Sequence, residues 1–174
     1  MRAAQDWRML IFRTLGLSIL TATLIACATP EPQPAPPASD ASVKMFEGGC
    51  YSACTTYEIE VRPDGSYTLN GVTNTKTKGV TTGKLAPGAW AKAEAAFAST
   101  GFGAMPDEIT GATRSAGTPP CIPDGPGTRI TRSATAGSEK TVFWNQGCRH
   151  EPAELHVLID QLRAAFDYDT LVKP

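Results

Sequence analysis

Residues Tyr57–Asn70 read YEIEVRPDGSYTLN, and this stretch decides the fold. Tyr57, Ile59 and Val61 alternate with Glu58, Glu60 and Arg62, the period of two that gives a strand one buried and one wet face. Pro63-Asp64-Gly65 then predicts a turn: proline presets φ, and glycine takes the left-handed position of a bulged hairpin. Ser66–Asn70 returns with Tyr67 and Leu69 facing inward. Glu58 and Glu60 share a strand face at a spacing that paired-carboxylate chemistry can use. Their strict alternation with apolar neighbours marks them instead as solvated residues.

Working outward, Val43–Glu47 carries a short, weak strand signal. Thr73–Lys84 is threonine-rich and polar and reads as a third, edge-like strand, with Lys76, Lys78 and Lys84 discouraging pairing with another chain. Pro87 opens a helix to about Thr100, with Trp90, Ala93 and Phe97 as its inner stripe and Gly101 as its stop. From Phe102 to Gly127 no periodicity survives, and prolines and glycines crowd the stretch; a loop this long in a compact domain is usually functional or disordered. A second hairpin pairs Arg129–Ala134 with Lys140–Asn145 across Ala136-Gly137-Ser138, Val142 and Trp144 facing in. A helix from Pro152 to about Tyr168 presents Leu155, Leu158, Ile159, Leu162 and Phe166 to the core.

The expected fold is α+β: an antiparallel sheet of two hairpins plus an edge strand, packed against two helices, in the order β-β-β-β-α-loop-β-β-α. The chain has 174 residues with a formal charge of −1. About 130 of them, 42–174, suffice for one domain with one core. There is no basic stripe, which argues against nucleic acid as a partner.

The N-terminus sets the compartment. Arg2, Arg8 and Arg13 precede an uncharged apolar run, Thr14–Ala26, too short to span a bilayer as a helix. The run ends in Leu24-Ile25-Ala26-Cys27. Apolar, apolar, small, cysteine is the pattern at which bacterial secretion attaches a diacylglycerol to the thiol and cleaves before it. Residues 1–26 are therefore expected to be a lipoprotein signal peptide and Cys27 the lipidated, palmitate-carrying first residue of the mature chain. Removing the leader leaves 13 basic against 16 acidic side chains, a net charge of −3. Ala28 in place of Asp favours the outer membrane over inner-membrane retention, with the domain facing the periplasm. Residues 27–41 are the lipidated cysteine and a proline-rich linker. At ~3.1 Å per residue its 14 spacer residues reach about 40 Å.

Beyond Cys27, four cysteines remain: Cys50, Cys54, Cys121 and Cys148. An even number in an exported chain argues for two disulfides with three connectivities. Cys50–Cys54 with Cys121–Cys148 is favoured, since the first pair closes within one turn and the second ties the long loop to a strand end. A redox role for Cys50-x-x-x-Cys54 is disfavoured: catalytic dithiols use two intervening residues at a helix N-terminus.

Cys50-Tyr-Ser-Ala-Cys54-Thr-Thr-Tyr57, followed by alternating apolar residues, Asp64-Gly65 and Tyr67, resembles the opening of a bacterial domain family of unknown function that occurs in secreted proteins and lipoproteins. The resemblance spans most of Met45–Phe166. Ala53 and Thr55 depart from the family's glycine and proline positions, and Cys121 and Cys148 stand outside its pattern. What the resemblance implies is a fold and a compartment, with no mechanism.

No catalytic set, metal or cofactor is expected. The leading expectation is a membrane-anchored, non-enzymatic binding or structural module with an envelope protein or peptidoglycan as partner, using the long loop with Arg114, Asp124, Trp144 and Arg149 as its contact surface. The competing reading is a metal-dependent hydrolase built on Cys148, His150, Glu151 and His156. It needs a reduced thiol, which an oxidising compartment disfavours.

Overall fold

The computed structural model describes residues 40–50, 54–135 and 137–174. The expected signal peptide, the expected lipidation site Cys27 and the linker up to residue 39 lie outside the described residues, as do positions 51–53 and 136.

The elements are β1 (Ser42–Gly48), β2 (Thr56–Val61), β3 (Ser66–Thr73), β4 (Gly79–Lys84), α1 (Ala89–Thr100), β5 (Glu108–Ile109), β6 (Gly127–Ser133), β7 (Glu139–Asn145), α2 (Ala153–Ala165) and α3 (Tyr168–Leu171), with single 3-10 turns at Phe102–Ala104 and Gly111–Thr113. They form one mixed α+β structure with a seven-stranded sheet in the order β4-β3-β2-β1-β6-β7-β5. Every pairing is antiparallel except β5 against β7.

The weakly signalled first strand is the centre of the sheet. β1 pairs with β2 on one side and β6 on the other, joining the two hairpins. Val43 and Met45 explain this position, because both are fully buried. A single inward row crosses five strands: Leu69, Ile59, Met45, Ile130 and Val142 stand opposite one another in register. The turn at Pro63-Asp64-Gly65 forms as its residues dictate. Gly65 has φ 80°, its amide donates to the Arg62 carbonyl at 2.9 Å, and Asp64 Oδ1 accepts from the Ser66 amide at 2.9 Å.

Both amphipathic helices contribute to the same core. Of the five expected residues, Leu155, Leu158, Ile159 and Leu162 in α2 and Phe166 at its C-cap, all are buried. In α1 the innermost stripe is Ala89, Ala93, Ala96, Phe97 and Thr100, while Trp90 is only partly buried at its flank. Gly101 ends α1 in the left-handed conformation, its amide donating to the Phe97 carbonyl.

The structure corrects the expected layout in three places. β4 is the edge strand, but it begins at Gly79; Lys76 and Lys78 lie in the preceding turn, so only Lys84 guards the edge. The aperiodic loop contains β5, two residues that continue the sheet beyond β7 and are too short to show a period. α2 stops at Ala165, because Asp167 takes a left-handed conformation with φ 54°, and the chain restarts as the single turn α3. That last turn docks back on the sheet: Lys76 donates through its amide to the Val172 carbonyl at 2.9 Å and through Nζ to the Thr170 carbonyl at 3.0 Å. Val172 is buried.

Candidate functional site

The corner where β7 runs into α2 gathers most of the chemically capable residues. β7 ends at Asn145, and its backbone turns so that the Cys148 amide donates to the Asn145 carbonyl at 2.9 Å. The long loop folds onto this turn. Ile122 donates to the Gly147 carbonyl and Gln146 to the Pro126 carbonyl, both at 2.9 Å. Gly147 permits the approach: a Cβ there would stand well inside contact distance of the Ile122 carbonyl oxygen. The result is the cystine Cys121–Cys148, with Cα atoms 4.2 Å apart. The second cystine, Cys50–Cys54, also forms, so the favoured connectivity is the observed one.

Within this corner the four residues of the hydrolase reading do not converge as a set. Cys148 spends its sulfur in the cystine. His156 Nε2 pairs with Glu151 Oε1 at 2.9 Å, and its ring meets the Trp144 ring edge-on at 4.8 Å. His150 turns toward the cystine instead: its nearest ring nitrogen and the sulfurs of Cys121 and Cys148 lie within 4.8 Å of one another. Cys121 is the ligand-type neighbour missing from that set, although the favoured cystine pairing had already placed it beside Cys148.

The expected contact residues divide. Arg149, Arg114 and Asp124 are exposed, Arg114 with its guanidinium on the Thr118 carbonyl. Trp144 is not on the surface. Only 7% of it is exposed, and its indole N–H donates to the Cys148 carbonyl at 3.4 Å. It faces inward from β7 in step with Val142, so it packs beneath the corner. Ile122, at 62% exposure, is the large apolar side chain that the loop does present.

The face of the sheet opposite the core row carries a second arrangement. Phe143, Arg129, Phe46, Glu58, Asn70 and Val80 stand in register across it. The Arg129 guanidinium lies 5.5 Å from the Phe143 ring centre and 5.9 Å from that of Phe46. Glu58 is exposed, as its alternation requires.

Sequence reading missed a buried charge cluster. Glu47, 5% exposed, accepts from Arg163 Nη2 at 2.6 Å and Nε at 3.1 Å and from the Tyr57 hydroxyl at 2.7 Å. The Arg163 guanidinium lies 5.3 Å from the Tyr168 ring centre. The signal was present: Glu47 shares the inward parity of Val43 and Met45, and Arg163 follows Leu155 and Ile159 at four-residue steps. Burial first, then the neighbouring Glu47 carboxylate, pushes the Tyr57 phenol far above its ordinary value of 10.0. Burial is the largest single influence on Arg163 and opposes its charge, but the hydrogen bonds to Glu47 and the attraction of Glu47, Tyr57 and Tyr168 together outweigh it and raise its pKa.

The sign of the resulting pH dependence follows. Above pH 10 an unfolded tyrosine ionises while folded Tyr57 keeps its proton, so the folded state binds more protons and stability falls as pH rises. Below pH 10 the contribution is complete. Tyr57→Phe is expected to remove up to about 1.4 kcal/mol per pH unit from that alkaline decline. At neutral pH the same substitution costs about 1.5 kcal/mol through the lost hydrogen bond. Denaturant titrations between pH 8 and 11 measure both; parallel curves for the two proteins would contradict the assignment.

Among the described residues, no helix is long and apolar enough to cross a membrane. A search of curated proteins finds no match to the chain. The family model for a domain of unknown function, DUF6438, matches residues 41–166. That span opens one residue before β1 and closes at the end of the α2 stripe, so it takes in the whole sheet, both cystines and both long helices, and the chain belongs to the DUF6438 family.

Proposed function

We propose that this chain is a lipid-anchored protein of the bacterial envelope whose domain serves as a non-enzymatic binding or structural module. The observation that carries the reading is Leu24-Ile25-Ala26-Cys27 at the end of a short apolar run behind three arginines. Two cystines in one small domain support it independently, since such bonds persist in oxidising compartments. A three-chain lipid at Cys27 holds the protein at the membrane effectively without dissociation, as two chains already do. Ala28 favours the outer membrane, and the proline-rich linker gives the domain reach into the periplasm.

The contact surface of this reading is the cystine-pinned loop, with Ile122 outward and Arg114, Asp124 and Arg149 around it. Its partner is an envelope protein or peptidoglycan. Trp144 supports this surface from below and does not touch the partner.

Cells fed labelled palmitate test the anchor. The wild-type protein is expected to carry the label and to sediment with membranes; Cys27→Ser is expected to lose the label and to retain its leader. An unlabelled wild-type protein would refute the anchor. A photo-crosslinking residue at position 122 tests the surface in intact cells. A residue at position 122 that yields no partner adduct, while partners are still captured by the intact protein, would remove the loop from the reading.

A further inference from the structure

The corner beside the Cys121–Cys148 cystine holds more donor chemistry than a structural bridge needs. Both ring nitrogens of His150 and Oε2 of Glu151 are buried with no hydrogen-bond partner among the described residues. Each such atom costs about 1–3 kcal/mol when left unsatisfied, and native proteins rarely leave neighbours in that condition without a ligand to explain it. The sulfurs of Cys121 and Cys148 lie within 4.8 Å of the His150 ring nitrogen and of each other.

We infer that this corner is a redox-gated site for a thiophilic, tetrahedral cation such as Zn²⁺ or Cu⁺, with Cys121, Cys148 and His150 as its protein ligands. Two thiolates and an imidazole are a donor set such ions select. Metal–sulfur bonds of about 2.3 Å and metal–nitrogen bonds of about 2.0–2.1 Å place tetrahedral donors roughly 3.5–3.8 Å apart, within the reach observed here. Three protein donors leave one position of the tetrahedron for water or another exogenous ligand.

In the oxidised protein the two sulfurs are bonded to each other and the site is closed. A dithiol reductant opens it. Its thiolate attacks the partly exposed Cys121 sulfur, since Cys148 is fully buried; Cys148 leaves as a thiolate, and the donor's second thiol then displaces Cys121 from the mixed disulfide. Two electrons and two protons pass to the protein sulfurs, and the donor becomes a disulfide. Metal entry then releases the two thiol protons and takes His150 in its neutral form, with no change in the metal's oxidation state.

The backbone keeps the open site assembled. The Ile122–Gly147 and Gln146–Pro126 hydrogen bonds clamp the loop on both sides of the cystine, and neither depends on the S–S bond. Cys50–Cys54 is not part of this three-residue donor cluster, so it serves as an internal control.

The test uses the whole protein in detergent, reduced with a phosphine, which takes up a water oxygen as it opens the disulfide. Titration with Co²⁺ is expected to give one thiolate-to-cobalt charge-transfer band saturating at one ion per chain, absent from the oxidised protein and bleached by Zn²⁺ or Cu⁺. His150→Gln, which leaves the cystine intact, is expected to weaken binding by more than the roughly tenfold that loss of a supporting outer-sphere group costs. Cys50→Ser with Cys54→Ser should leave the band unchanged. No band in the reduced protein, a band that survives Cys121→Ser with Cys148→Ser, or unchanged affinity in His150→Gln overturns the site. If reduction unfolds the chain by circular dichroism, cobalt must restore the fold; a chain that stays unfolded with cobalt overturns it equally.

Discussion

Replacing Arg163 with alanine is expected to destabilise the domain by about 3 kcal/mol, the low end of what removing one partner from a buried ion pair costs. The lower figure applies because 37% of the Arg163 side chain is exposed, so water reaches part of the space it leaves. The Glu47 carboxylate, only 7% exposed, is then left with the Tyr57 hydroxyl as its remaining partner of the three. The melting temperature should fall by roughly 10 °C, taking about 3–4 °C per kcal/mol for a domain of this size. A triple replacement, Glu47→Leu with Tyr57→Phe and Arg163→Leu, should recover most of the loss. It removes every polar group of the cluster together and leaves none unpaired. Thermal unfolding of the two variants separates the explanations. If the triple variant is as weak as Arg163→Ala, lost packing rather than a stranded charge is the cause.

Removing the Cys121–Cys148 bond by paired alanines is expected to cost about 3.5 kcal/mol, against about 2 kcal/mol for Cys50–Cys54. The difference reflects loop length, because the first bond joins positions twenty-seven apart and the second positions four apart. A longer closed loop restricts the unfolded chain more. The denaturant slope should rise in the Cys121–Cys148 variant, since an uncrosslinked unfolded chain exposes more surface. Equal losses for the two variants would mean that native packing, not chain entropy, sets the stabilisation. A domain with ordinary stability of about 5–15 kcal/mol survives either loss.

The sequence made the elements legible wherever one face is wet and the other buried. The Tyr57–Asn70 hairpin and the Leu155–Phe166 stripe are written by their periods and appear as read. β1 was faint because its alternation is broken twice: apolar Phe46 stands on the face opposite Val43 and Met45, and charged Glu47 takes an inward position. β5 was invisible: two residues, Glu108 and Ile109, cannot display a period. The end of α2 was overextended because Phe166 and Tyr168 suit a helical stripe, while the left-handed Asp167 that stops it has no distinctive side chain. For the candidate corner, the cystine followed from counting. The proximity of His150 to Cys121 did not, since it depends on how a proline- and glycine-rich loop folds back on Gly147. Trp144 was placed inward by its strand period and outward by its proximity to the loop; the period was the sounder guide, because a two-ring side chain gains more from the core than from solvent.

The docking of the last turn separates the boundary of kinship from the boundary of cohesion. The family match stops at residue 166, yet the Tyr168 ring lies 5.6 Å from that of Tyr57, Val172 is sealed from solvent, and the turn before β4 is tied to Thr170 and Val172. A fragment trimmed where the shared region ends would uncap the Glu47 cluster and release a sheet corner. The tail beyond the shared region is also the clasp that shuts the box.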